Sequence, residues 1–178
     1  MTDLPDIAGP APDLIHPIIG YRQWRLVDRT LSSVFNDTRW DRAQLSARCD
    51  SHRHHPEVVP DHHCSCGIYA YYEPCPRTAS AATRDLVGGA VVMWGSVELH
   101  GTGLRAEHAQ IVALELPLSP GPKRRSVLEM ADRLGVVAVA HRRLRSVAGE
   151  YGVPLDRSLR PPRVWEPVVT GWRWSLVS

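Results

Sequence analysis

The sequence predicts a single α+β domain: a small antiparallel β-barrel or strongly bent sheet, a long loop clipped to it, and helices at the C-terminal end. Three observations predict it. Residues 18–40 and 87–116 are rich in β-branched and aromatic residues and carry turn signals. Residues 42–67 lack sustained periodicity and concentrate cysteine and histidine. After residue 119, apolar residues recur at helical spacing. A chain of 178 residues favours one domain with a core of ordinary size. The expected organisation is a flexible arm over 1–17, the domain over 18–154, and a Trp-rich tail over 155–178.

The elements follow in order. Pro5, Pro10, Pro12 and Pro17 forbid regular structure in the arm. "IIGYRQWRLVD" (18–28) reads as a strand, and Asp28, Arg29 and Thr30 make the bend into a second strand within 31–40, with a turn near Asn36 and Asp37. The loop over 42–67 is long enough to require a special reason in a compact domain. "GIYAYY" (67–72) begins another strand, and "TASAATRDLV" (78–87) suits a short helix. In 87–116, "GTG" (101–103) marks a turn between two strands, and Gly95 signals a bulge or a close backbone approach. With the turn there, His100 and Leu104 face one another, and Glu98 neighbours Ala106 across the hairpin. Val127, Met130, Ala131 and Leu134 have helical spacing, and Val137, His141, Leu144 and Ala148 extend it. Gly135 divides two helices or kinks one, and "GVVAVA" (135–140) is equally readable as a short strand.

The composition excludes several classes. No apolar run approaches the roughly 20 residues of a membrane-spanning helix. The N-terminus lacks the basic and apolar regions of a signal peptide, so a cytoplasmic location is expected. There, four cysteines are more readily metal-bound than disulfide-paired. Residues 119–178 carry a basic excess that includes Arg124, Arg125, Arg142, Arg143 and Arg145. Such asymmetry marks either a solvated helix face or contact with nucleic acid.

Cys49, His52, His54, His55, His62, His63, Cys64 and Cys66 crowd into polar, proline-rich surroundings, which is not core composition. Thiolate and imidazole ligands at this density point to a structural Zn²⁺, which takes four such ligands in a tetrahedron. Cys49, Cys64 and Cys66 supply three, and Gly67 relieves the tight turn of the Cys-x-Cys pair. The fourth comes from His52, His54, His55, His62, His63 or Cys75. His55 is preferred, because it lies away from the Cys-x-Cys pair and closes the site from the other side. The spacing matches none of the common finger or ribbon patterns.

"GYRQWRL", "HHCSCGIYA" and "VVMWGSVELHGTGLRAEHAQIVAL" together resemble a group of short, actinobacterial-type proteins to which no reaction is assigned. The resemblance covers about residues 19–118. It implies that Cys49, a histidine near 54 or 55, Cys64, Cys66, Trp94, His100, Gly103, Arg105 and Glu107 belong to a shared pattern. The chain departs from it in "GLRAEHA", where an aromatic is usual at Leu104 or His108.

Trp94, His100, Arg105 and Glu107 form a second constellation on or beside one hairpin. Structurally, an Arg–Glu pair would stitch the hairpin to the cysteine loop or to "GYRQW". Functionally, Trp94 would stack on a ligand and Arg105 would grip an anion. No phosphate-binding glycine loop or nucleophile elbow occurs. The leading expectation is therefore a non-enzymatic binding or adaptor protein with a structural zinc, engaging another protein through its C-terminal helices or its Trp-rich tail. The alternatives are a nucleic-acid-binding accessory protein, and a hydrolase or nucleic-acid-modifying enzyme using His100 and Glu107.

Overall fold

The computed structural model describes residues 16–34, 38–49, 58–61, 64–75 and 85–162. The expected arm up to residue 15, the Trp-rich segment from 163 onward and residues 78–84 of the helix expected over 78–87 lie outside them, while Leu86 and Val87 at the end of that stretch belong to a strand.

Two long strands, β6 (Leu86–Leu99) and β7 (Gly103–Glu115), form the central hairpin. β1 (Ile18–Val27) lies antiparallel against the first half of β6, from Ile18↔Met93 to Arg25↔Leu86. β1 turns through Asp28 and Arg29, both at positive φ (47° and 62°), into β2 (Thr30–Ser33). Two such residues match the right-handed twist of the flanking strands. The stretch expected over 31–40 is divided, and β3 (Arg39–Trp40) pairs back onto β2, while the turn expected near Asn36 and Asp37 lies outside the described residues. The loop expected over 42–67 contains β4 (Gln44–Ser46), an edge strand on β7. β5 (Ile68–Tyr71) starts where "GIYAYY" predicts and pairs with β7 from Ile68↔Ala106 to Tyr71↔Gly103.

β1, β6, β7 and β5 pair in a closed cycle, completed by the single contact Tyr21↔Tyr71. A cycle of four strands encloses no barrel interior, so of the expected barrel or bent sheet the barrel is not formed, and the described residues make a nine-stranded mixed sheet. Closing the cycle curls the hairpin. The ladder shifts between Ala90 and Val91 and again between Trp94 and Val97, where Gly95 has φ 80°. The second shift is the bulge that Gly95 signals, and bulges bend strands.

The sheet is covered on both faces. α1 (Pro122–Leu134) packs Val127, Met130, Ala131 and Leu134 into one core with Trp24, Leu31, Trp40, Val91, Met93 and Leu104. α2 (Leu144–Ala148) packs Leu144, Val147 and Ala148 against Ile19, Tyr21, Ala90, Val92 and Val112. That two-sided burial explains why "AVVM" reads as a continuous apolar run instead of alternating. α1 begins with Pro122 and stops at Gly135, which takes the left-handed conformation and donates to Ala131 and Asp132 carbonyls. The chain then forms β8 (Val137–Val139), parallel to β7, so the strand alternative holds and the helical spacing through Val137 does not. β9 (Val153–Pro154) lies parallel to β1, and the buried Leu155 joins the core just past it.

Gly103 sits where a Cβ would stand 2.1 Å from the Ala70 carbonyl oxygen, backbone that has no room to move. Gly103→Ala is expected to destabilise by about 1–3 kcal/mol. At Gly149 a Cβ meets nothing closer than 3.4 Å and φ is −63°, so Gly149→Ala should stay within about 0.5 kcal/mol of the parent. Urea unfolding of the two variants checks both values.

Candidate metal centre

The cysteine ligands are assembled by two segments. Cys49 follows β4, and Cys64 and Cys66 precede β5. Since β4 and β5 both pair with β7, the three thiols arrive side by side. Their sulfurs lie within 4.8 Å of one another, and Cys49 Sγ is 3.5 Å from Cys64 Sγ. Gly67 turns the chain into β5 at φ 119°, and a Cβ there would press on Pro60 (3.1 Å) and Arg105 (3.3 Å). The backbone also serves the sulfurs. The Cys66 N–H donates to Cys64 Sγ, and the Asp61 N–H donates to Cys66 Sγ. The Cys66 N–H, then the Cys49 thiol, and more weakly Arg105, draw the Cys64 thiol below its ordinary pKa. Burial first, and the Cys64 thiol beside it, push Cys66 up to about 11. Ligand thiols must lose their protons to bind a cation, and a divalent ion in their midst supplies the missing counter-charge.

Arg105, 1 % exposed, fixes this loop from behind. Its Nη2 donates to the Asp61 carbonyl at 2.8 Å and to Glu98 Oε2 at 2.6 Å. Its Nη1 donates to the carbonyls of Cys64 and of Cys66, the latter at 2.9 Å. Tyr69 packs against the guanidinium, 5.8 Å from its ring centroid, and its hydroxyl donates to the Ser65 carbonyl at 3.0 Å. Burial works against the charge of Arg105, but Glu98 outweighs it and raises the pKa. This pair does the stitching expected of an Arg–Glu pair, with Glu98 in place of Glu107, and it occupies the guanidinium that an external anion would need.

Glu98 is the carboxylate that sequence reasoning set opposite the wrong residue, through a one-residue error of register. Residues 101 and 102 alone form the loop, because the His100 N–H donates to the Gly103 carbonyl at 2.8 Å. Leu104 therefore faces Leu99, and Glu98 faces Arg105 rather than Ala106. The signal was present, since 98 and 105 are symmetric about a two-residue turn.

The other expected residues separate into distinct groups. His100 Nε2 lies 3.2 Å from Glu98 Oε1, and burial pulls its pKa down. Glu107 belongs to the bulge, where it accepts from the Ser96 N–H at 3.2 Å and lies 3.3 Å from His108 Nε2. Trp94 stacks on His108 at 5.6 Å, and His108 Nδ1 is 2.9 Å from Ser46 Oγ. His100 and Glu107 thus sit in separate networks. Cys75 stands outside the thiol cluster, where burial and then Glu115 push it up to about 11. His52, His54, His55, His62 and His63 lie outside the described residues, so the preferred fourth ligand does too. Among the basic residues, Arg124 donates to the Pro117 carbonyl and Arg145 pairs with Glu73 at 2.5 Å, while Arg125, Arg142 and Arg143 are exposed.

Among the described residues, no helix is long and apolar enough to cross a membrane. Compared with protein-family models, curated proteins and solved structures, the chain matches none.

Arg105→Met removes the donors of three loop carbonyls and strands the Glu98 carboxylate. Breaking a buried pair in this way is expected to cost about 3–5 kcal/mol. Arg105→Lys should recover only part of the loss, because an ammonium cannot reproduce the planar fork. Denaturant titration of the two variants measures the difference.

Proposed function

We propose that this chain is a non-enzymatic binding or adaptor protein in which a structural Zn²⁺ clips the cysteine loop to the sheet. One observation carries the metal reading: three sulfurs within 4.8 Å of one another, on a backbone clamped by a buried arginine. Three thiolates overcompensate a divalent cation by one charge. The N–H groups of Asp61 and Cys66 aim at sulfur, which favours the thiolate form. A histidine of the loop, His55 by preference, completes the tetrahedron.

On this reading the shared motifs with the actinobacterial-type group are scaffold. "GYRQWRL" supplies β1, "CSCGIYA" the ligands and β5, and "WGSVELHGTGLRAE" the bulge, the turn and the clamp. Glu107 lies in a different network from His100, and the carboxylate that does meet His100, Glu98, is already held by Arg105, which favours binding over acid–base chemistry. The partner is another protein, engaged through the C-terminal helical segment or the Trp-rich tail.

Elemental analysis of the purified protein should give one zinc per chain. Replacing Cys64 and Cys66 together by serine should release the metal and lower the melting temperature, as should a chelator acting on the parent. Retained zinc with an unchanged melting curve would remove the assignment. Metal affinity should also weaken as the pH falls, because protons compete for the thiolates.

The adaptor role predicts a protein that co-purifies from the native host and is lost on deletion of residues 161–178. A chain that purifies alone, or a partner indifferent to the deletion, contradicts it.

A further inference from the structure

A second arginine lies on the core face of the sheet, and its surroundings are unlike those of Arg105. Arg22 shares its face of β1 with Trp24, two residues on. Its Nη2 donates to Ser33 Oγ at 2.7 Å, and its Nη1 donates to the Tyr69 carbonyl. Its Cζ lies 5.7 Å from the ring centroid of Trp40, and Trp40 meets Trp24 edge to face at 5.6 Å. Both indoles are fully buried, whereas Arg22 remains partly exposed and so keeps a route to solvent.

Within this contacting group, three N–H donors find no acceptor among the described residues: Arg22 Nε, Trp24 Nε1 and Trp40 Nε1. The two partners that Arg22 does have are neutral, and among the described residues no carboxylate pairs with it. Burial lowers the Arg22 pKa to about 10, which still leaves the group charged at neutral pH. A buried charge without a counter-charge is costly, and so is a buried donor without an acceptor. Water would supply acceptors and no charge. A group with several acceptor oxygens and a negative charge answers both deficits, and guanidinium is well matched to carboxylate and phosphate. Ser33 fits the same ligand, because its oxygen already accepts from Arg22 and its own hydrogen is free to point elsewhere.

We propose that Arg22, Ser33 and the indole N–H groups of Trp24 and Trp40 form a binding site for a small oxyanion, a carboxylate or a phosphate. The site is independent of the metal centre and of the adaptor reading.

The test titrates the full-length protein with inorganic phosphate and, separately, with acetate, at constant ionic strength set by sodium chloride. Melting temperature and tryptophan fluorescence are the readouts, since two of the six tryptophans line the site. At least one anion should raise the melting temperature saturably and perturb the fluorescence. Saturation by phosphate alone identifies a tetrahedral ligand, and by acetate alone a planar one. Arg22→Met should abolish the response, and because it deletes an uncompensated charge along with the donors to Ser33 and the Tyr69 carbonyl, its loss of stability should be larger with saturating anion than without. Trp40→Phe keeps the ring and removes one donor, so it should weaken binding several-fold while leaving the fold intact. No saturable response beyond the chloride control overturns the proposal. So does a response that survives in Arg22→Met, which places the anion elsewhere. An Arg22→Met protein that is destabilised alike with and without anion shows a structural arginine and also overturns it.

Discussion

The buried guanidinium of Arg105 is the constraint on which the cysteine segment depends. A charge this enclosed is tolerable only when nearly every donor is used and an anion stands beside it. Arg105 meets both conditions with Glu98 on the facing strand and the carbonyls of Asp61, Cys64 and Cys66. These carbonyls belong to irregular backbone that no strand ladder satisfies. One side chain therefore solves two problems: the loop's unpaired acceptors and the arginine's own desolvation. The same bonds fix where the two sulfurs of the Cys-x-Cys pair can be.

That arrangement in turn depends on the geometry of the β6–β7 hairpin. Glu98 and Arg105 meet only because the turn is two residues long, which Gly103 allows by closing tightly on Ala70. The bulge at Gly95 and Ser96 bends the hairpin and turns the Ser96 N–H toward Glu107. The bend brings the start of β7 beside β5, so the ligand-bearing segments follow one another along one edge of that strand. The glycines of "WGSVELHGTG" thus act at a distance on the thiol cluster, through backbone shape rather than contact.

Much of this was legible in the residues, and what was not has physical causes. The turn at Asp28 and Arg29, the bulge at Gly95, the start of β5 and the buried face of α1 all rest on local chemistry or on period, and all are where the sequence puts them. β8 was ambiguous because a three-residue apolar strand and a helical turn share the same composition. β4 was hidden because an edge strand takes its hydrogen bonds from a distant partner, here β7, and needs no pattern of its own. The barrel failed because closure depends on strand number and tilt, which no single strand encodes. At the site, proximity of Cys49 to the Cys-x-Cys pair followed from ligand chemistry. The role of Glu98 did not, since one residue of register decides whether an acid or an alanine faces Arg105.

The two core arginines show how the same residue type takes on different roles on one sheet. Arg105 has a carboxylate and binds carbonyls, so it acts as a rigid clamp. Among the described residues Arg22 has no carboxylate and lies among donors without acceptors, which is the basis of the proposed anion site. The clamp also bears on how a metal would bind. It holds backbone carbonyls and leaves all three sulfurs to the ion, so the loop's shape is set largely by the sheet. In an isolated zinc peptide, metal binding must order the whole chain and much of its free energy goes into folding. Here the hairpin has already ordered the Cys-x-Cys backbone. Less of the metal's free energy is spent on that segment, and more appears as affinity for the ion.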